Sequence, residues 1–361
     1  MNNNYYAIIM AGGIGSRFWP ISRTSYPKQF IDILGTGKTL IQNTYDRFLK
    51  ICPKENIYVV TNENYAELVK EQLPDISDGQ ILTEPVMRNT APCVAYGSFK
   101  IESLNPDAVI VVAPSDHLIL NEAAFVTSIE KSLKTAAQCD CLITLGIKPS
   151  RPDTGYGYIQ FTDEAINDDF HKVKTFTEKP TLDLAKTFIQ SGDFLWNAGI
   201  FVWSAKNIVN AFNSYLPDMH EIFADARSIY NTDNERSHIH QSYQQCINIS
   251  IDYGIMEKAD NVYVLPSEFG WSDLGTWASI YQLAEKDYVG NAVIPSEKVI
   301  MYDSSNCMVN VPAEKLVVLS GLHDYIVVES NNTLLICPRD QEQNVKQVVA
   351  DVKQKFGTKY I

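Results

Sequence analysis

The chain has 361 residues, with 30 Lys and Arg against 43 Asp and Glu, a formal charge of −13. That length can bury a sizeable core and suits one large domain with a small one. The acidic balance argues against a general nucleic-acid binder but leaves room for a locally basic pocket that takes a small anion. No apolar run is long enough to cross a bilayer and no basic-then-apolar leader opens the chain, so a soluble cytoplasmic protein with no nucleic-acid or membrane partner is expected.

Residues 7–10 form an apolar run that drives into Gly12, Gly13 and Gly15, then into Arg17 and, past two prolines, Lys28. A buried strand feeding a tight glycine turn, with two cations in reach, predicts a phosphate site. Thr39 and Gln42 make a capping box before a helix with Leu40, Ile41, Thr44, Tyr45, Phe48 and Leu49 on one face. Residues 57–61 read as a second strand, Asn62 caps a helix to about residue 73, and a short strand at 81–83 ends at Glu84-Pro85. Thr90-Ala91-Pro92 opens a helix, since proline is tolerated in a first turn.

Residues 108–113 are unbroken and β-branched, a central parallel strand that delivers Pro114 to His117 to a loop. Asn121 caps a helix buried through Phe125, Ile129, Leu133 and Ala136, and 141–145 is another strand. This alternation predicts an open α/β sheet with ligands beyond the strand ends. Strands at 155–159 and 173–176 then suggest an inserted, partly antiparallel layer. A helix follows at 181–190, a strand at 198–203, mostly helix over 205–260, a strand at 262–265 and an aromatic loop at 271–277. From about 291 short β runs (317–319, 325–328, 333–337) precede one helix carrying Val345, Val348, Val349, Val352 and Phe356 on a face. The reading gives a domain at 1–287 and a small β domain at 288–361. Cys52, Cys93, Cys246, Cys307 and Cys337 stand singly, and Cys139 and Cys141 flank Asp140; reduced thiols are expected, with no structural zinc.

The glycine turn admits three readings. A dinucleotide fingerprint would need glycine where Phe18 stands, and Walker A would need glycine at Asp32 before Gly37-Lys38-Thr39. The third fits: A-G-G-x-G-x-R after a first strand resembles the sugar-1-phosphate nucleotidylyltransferases. Pro27-Lys28-Gln29-Phe30 is similar to that family's closing lysine segment. Glu84-Pro85 with Arg88-Asn89-Thr90-Ala91-Pro92 resembles the mannose-1-phosphate guanylyltransferases in particular. Pro114 to His117, Thr154 to Ile159, Phe176 to Pro180, Trp196 to Gly199 and Trp271 to Trp277 follow in the family's order.

The resemblance implies a Rossmann-like, GT-A-like mixed sheet flanked by helices, with a small C-terminal domain like a left-handed β-helix. It implies attack of mannose 1-phosphate on the α-phosphorus of GTP, giving GDP-mannose and diphosphate with Mg²⁺ as cofactor. Too little chain follows residue 291 for the isomerase domain that some members carry, so a short, single-activity form is expected, and a homodimer is the family expectation.

By the same resemblance Gly12, Gly13 and Gly15 cradle the triphosphate, Arg17 meets its β and γ groups, and Lys28 serves the α-phosphate. Asp116 and Asp273 share the metal. Lys179 grips the sugar phosphate, with Gly157, Glu178 and Asn197 completing that pocket, and Glu84, Arg88, Asn89 and Thr90 line the nucleotide side. Plainer readings stand beside these: Asp116 as a turn or cap residue, Asp273 as a helix N-cap, and Glu178 with Lys179 as a surface ion pair. His238 and His240 read as solvated rather than metal-bound. A different base or sugar, and a non-catalytic homologue on the same fold, are the alternatives.

Overall fold

The computed structural model describes residues 2–167, 169–294 and 298–361. The chain packs as two compact units. One comprises Met1–Gly12, Thr44–Ser115 and Ile119–Trp271, the other Gly13–Asn43, Asp116–Leu118 and Ser272–Ile361.

The first unit begins with β1 (Tyr5–Met10), β2 (Ile57–Asn62), β3 (Ile81–Glu84) and β4 (Val109–Pro114), all parallel. The helices α1 (Leu40–Phe48), α2 (Ala66–Gln72) and α3 (Thr90–Leu104) connect them in the chain. The two-residue β5 (Leu118–Ile119) leads to α4 (Glu122–Ala136), whose first turn is capped by Asn121 Oδ1 accepting from the Ala124 amide at 3.1 Å. Next come β6 (Leu142–Ile147), β7 (Tyr158–Asn167), β8 (Phe170–Thr177), α5 (Leu182–Ser191) and β9 (Phe194–Ser204). α6 (Ala205–Tyr215), α7 (Pro217–Ala224), α8 (Glu235–Gln245) and a π-helical turn (Asp252–Met256) precede β10 (Val262–Ser267) and β11 (Trp271–Ser272).

Among the described residues nine strands form one sheet, in the order β3-β2-β1-β4-β9-β6-β10-β8-β7. The inserted strands β7 and β8 pair antiparallel, as expected from sequence, but extend the main sheet instead of forming a layer of their own. β9 runs antiparallel to both β4 and β6 in the middle of the sheet, a direction the sequence does not show. The physical reason is burial on both faces: Ala198, Ile200, Phe201, Val202 and Trp203 are all buried, so β9 shows no alternation to mark its orientation. The core of this unit gathers Ile8, Val60, Val94, Phe99, Val112, Phe201, Trp203, Phe212, Phe223 and Tyr243.

In the second unit α9 (Trp277–Leu283) precedes short strands: β12 (Ala292–Val293), β13 (Val299–Tyr302), β14 (Met308–Asn310), β15 (Val317–Ser320), β16 (Tyr325–Ser330) and β17 (Thr333–Pro338). The pairs β12–β14, β14–β16 and β13–β15 are parallel, the pattern of successive coils of a β-helix, and β17 closes one sheet antiparallel to β16. α10 (Val345–Phe356) ends the chain. Phe18, Ile33 and Leu40 share one core with Leu274, Trp277, Ile280, Met308, Ile326 and Val328, so residues after the glycine turn fold together with the C-terminal strands.

The structure pairs Cys139 with Cys141, where reduced thiols are expected, and leaves Cys52, Cys93, Cys246, Cys307 and Cys337 free, in line with that expectation. Among the described residues no helix is long and apolar enough to cross a membrane.

Candidate active site

In the first unit, β1 ends just before Gly12, and a Cβ there would stand 3.6 Å from Glu84 Oε2. Glu84, the last residue of β3, is buried, and its Oε1 accepts a 3.0 Å bond from the Tyr243 hydroxyl. Burial raises the Glu84 pKa to about 7, and the Tyr243 bond pulls only partly against that. Asn89 takes a left-handed φ of 68° and its side chain accepts from the Thr90 amide at 2.9 Å, which starts α3. Thr90 Oγ1 accepts from the Ile251 amide at 2.9 Å, and the Ala91 amide donates to the Ile249 carbonyl at 3.1 Å. The segment after α8 thus pins the 89–91 turn. Arg88 Nε is buried with no hydrogen-bond partner among the described residues.

A second cluster of this unit joins Gly157, Glu178, Lys179 and Asn197. The Asn197 amide donates to the Gly157 carbonyl at 2.8 Å. A Cβ on Gly157 would come within 2.5 Å of Glu178 Oε2, so a larger residue there would push that carboxylate aside. Lys179, at φ 47°, pairs with Glu178 Oε1 at 2.5 Å while its side chain stays largely exposed, so the plain ion-pair reading is present as a contact. Asn197 is fixed from three sides: Oδ1 accepts from the Gly199 amide at 3.0 Å and from Thr144 Oγ1 at 3.3 Å, and Nδ2 donates to Asp252 Oδ1 at 2.7 Å. Burial raises the Asp252 pKa, with the Asn197 bond opposing it and Glu178 adding to it. Asp252 opens the π-helical turn, a form frequent at functional sites.

In the second unit, Gly15 sits at φ 69°, and a Cβ on it would meet Lys28 Cβ at 2.5 Å. Lys28 is only 4% exposed. Its ammonium donates to Asp116 Oδ2 at 2.8 Å, to the Asp273 carbonyl at 2.9 Å and to the Leu274 carbonyl at 3.0 Å, so its three hydrogens are all directed at protein oxygens. Burial opposes ionisation of Asp116, but the charge of Lys28, aided by His117 and the Lys28 hydrogen bond, wins and holds its pKa below the usual carboxylate value. Asp116 lies in a turn, as its plainer reading has it, and α4 is capped by Asn121. Asp273 is no helix cap: its Oδ1 accepts from the Gly275 amide at 2.8 Å, and Thr276 caps α9 by accepting from the Ser279 amide at 3.3 Å. Asp32 accepts from the Thr36 and Gly37 amides at 2.9 and 2.7 Å, which makes the Walker-like Gly37-Lys38-Thr39 a plain turn. Arg17 Nε donates to Gln343 Oε1 at 3.0 Å.

Sequence reasoning missed Tyr243, Asp252 and Gln343. Each lies in a helical segment or turn without a motif around it, and its partner is distant in the chain. His240 Nε2 meets Glu63 Oε2 at 3.0 Å, and among the described residues no group of three or more His, Cys, Asp or Glu is arranged to hold a metal.

A nucleotidyl transferase family model matches residues 6–289, and a model described as a MannoseP isomerase/GMP-like β-helix domain matches 297–352. A mannose-1-phosphate guanylyltransferase from Salmonella montevideo is 36% identical over 96% of this chain and 73% of its own length. One from Escherichia coli is 35% identical over 98% of this chain and 75% of its own length. A crystal structure described as mannose-1-phosphate geranyltransferase from Thermus thermophilus superposes with a TM-score of 0.86 at 29% identity, covering 97% of this chain and 99% of that one. The chain belongs to the mannose-1-phosphate guanylyltransferase family of nucleotidyl transferases.

Proposed function

We infer that this chain catalyses the mannose-1-phosphate guanylyltransferase reaction, joining GTP and α-D-mannose 1-phosphate into GDP-mannose with release of diphosphate. The observation that carries the reading is the shared identity of relatives that match 96–98% of the chain at 35–36% identity. The sugar phosphate has a second pKa near ~6, so it is mostly dianionic at neutral pH and needs no general base. What the reaction demands is neutralisation and alignment of two anions.

The residues proposed for that task are Gly12, Gly13, Gly15, Arg17, Lys28, Glu84, Arg88, Asn89, Thr90, Asp116, Gly157, Glu178, Lys179, Asn197 and Asp273. The backbone amides of Gly12, Gly13 and Gly15 cradle the triphosphate. Arg17 offers its terminal guanidinium nitrogens to the β and γ groups. Lys28 keeps Asp116 ionised and adds positive charge beneath the glycine turn. Lys179 binds the sugar phosphate, and Glu178 and Asn197 take sugar hydroxyls. Arg88, with its unpartnered Nε, lies on the nucleotide side with Glu84, Asn89 and Thr90.

Asp116 and Asp273 are the carboxylates proposed to hold a divalent cation: Lys28 Nζ touches both residues, at 2.8 Å from Asp116 Oδ2 and 2.9 Å from the Asp273 carbonyl, and two carboxylates leave coordination positions for phosphate oxygens and water. Mg²⁺ is the proposed ion. When bound it supplies charge neutralisation and a template for the phosphates. A cytoplasmic homodimer is proposed with these substrates.

The test is diphosphate release with GTP plus mannose 1-phosphate, compared with UTP, dTTP and glucose 1-phosphate. Turnover should favour the GTP and mannose 1-phosphate pair, vanish with EDTA and return with Mg²⁺. Preference for another pair would overturn the substrate reading, and no turnover with any pair would overturn the enzyme reading.

A further inference from the structure

We infer that Gln343, in the 3₁₀ turn Arg339–Asn344 of the C-terminal domain, is a positioning residue that aims Arg17 at the polyphosphate. Arg17 carries five N–H donors, and among the described residues only Nε is engaged, by Gln343 Oε1 at 3.0 Å. Holding a guanidinium by Nε fixes the plane of the fork and leaves both terminal nitrogens for a bidentate grip on phosphate. Without that contact the partly exposed side chain would sample many rotamers, and binding an anion would cost the entropy of choosing one.

The turn itself is anchored on several sides. Glu342, next to Gln343, accepts from the Ala278 amide at 2.9 Å at the start of α9, a few residues past Asp273. Its carboxylate is half-buried; burial raises its pKa, while bonds from Ala278 and Thr276 and the charge of Arg17 act against that. Trp19, two residues after Arg17, packs with Leu335, Val345, Val348 and Val349, and its Nε1 donates to the Tyr360 carbonyl at 2.6 Å. Arg23 Nη2 donates to the Ser330 carbonyl at 3.0 Å and to Thr333 Oγ1 at 3.1 Å. Consecutive residues of one C-terminal turn therefore touch the arginine that follows the glycine turn and the element that follows Asp273. The C-terminal strands and α10 hold both.

The inference rests on the proposed role of Arg17 with the triphosphate. Its test uses the full chain and the variants Q343A and Q343E, the second keeping an acceptor for Nε. Loss of the contact should raise KM for GTP, and for diphosphate in the reverse reaction, about fivefold in Q343A. KM for mannose 1-phosphate and the melting temperature should stay unchanged, and Q343E should restore the diphosphate constant. In an R17A background the Q343A change should have no further effect. Unchanged GTP and diphosphate constants in Q343A would overturn the inference, as would equal losses for both substrates accompanied by a lower melting temperature. Calorimetric titration with Mg²⁺-diphosphate keeps the two readings apart, because it reports on Arg17 and Gln343 whether or not the wild-type chain turns over mannose 1-phosphate.

Discussion

Replacing Glu84 by Gln should make the protein more stable at alkaline pH and leave it unchanged near pH 4.5. Glu84 is 4% exposed, and among the described residues its side chain has one hydrogen bond, from Tyr243. Its pKa in the fold is about 7 against an ordinary 4.5, because burial disfavours the charge more than Tyr243 supports it. A raised carboxyl pKa means that the folded chain holds the proton more tightly than the unfolded one. Below pH 4.5 both states are protonated and Glu84 costs nothing. Between 4.5 and about 7 the unfolded chain ionises first, and stability is lost progressively as pH rises. Above 7 the loss is complete, and at about 1.4 kcal/mol per tenfold it amounts to about 3 kcal/mol. Gln keeps the shape and an acceptor for Tyr243 but does not titrate. Urea denaturation of both chains at pH 4.5, 6, 7 and 8 isolates the contribution, since every other group titrates alike in the two. The stability difference should grow from near zero to about 3 kcal/mol across that range. A difference that is flat with pH, or one that favours the wild type increasingly above pH 7, would refute the reasoning.

Asp116→Asn removes the charge that Lys28 pairs with and should cut turnover about a hundredfold or more with the far-ultraviolet circular dichroism unchanged; retained activity would remove Asp116 from the metal site. Gly15→Ala meets both a left-handed φ of 69° and a Cβ contact of 2.5 Å with Lys28, so it should cost about 2 kcal/mol or more in unfolding, read by denaturation, and raise KM for GTP. Asp252→Asn weakens the 2.7 Å hold on Asn197 and should raise KM for mannose 1-phosphate about tenfold while KM for GTP stays put. Equal changes in both constants would make Asp252 a general structural residue.

What could be read from sequence was what depends on neighbours in the chain. The glycine turn declares itself because Gly12, Gly13 and Gly15 follow directly on an apolar strand, and β4 declares itself by an unbroken β-branched run. The cap at Asn121 acts on an amide three residues on, so it too was legible. The direction of β9 was not, because a strand buried on both faces carries no alternation, and whether it joins the sheet parallel or antiparallel is decided by β4 and β6. The site followed the same division. Lys28 was legible as a cation in reach of the glycine turn, but Asp116 and Asp273 took their metal role from the resemblance, and the bond that unites the three, from one ammonium to a carboxylate and two carbonyls, has no local signature.

The residues that escaped reading share one property. Tyr243 meets Glu84 across 159 residues, Asn197 meets Asp252 across 55, and Arg17 meets Gln343 across 326. In each pair the member that was recognised sits in a motif with a chemical reason for its residue type, while its partner sits on a polar helix or turn where Tyr, Asp or Gln would serve equally well as a solvated side chain. The partner's work is to orient, and orientation depends on packing rather than on residue type. The second unit makes this concrete. The segment after the glycine turn and the C-terminal strands share the core of Phe18, Trp277, Met308 and Ile326, so the turn's geometry is set by residues some 300 positions later in the chain. A boundary near residue 288, sensible from the change in texture of the sequence, separates the loop from part of what holds it. Substitutions in the C-terminal domain should for that reason show up first in the constants for GTP and diphosphate and only afterwards in those for the sugar phosphate, whose proposed ligands Gly157, Glu178, Lys179 and Asn197 all belong to the other unit.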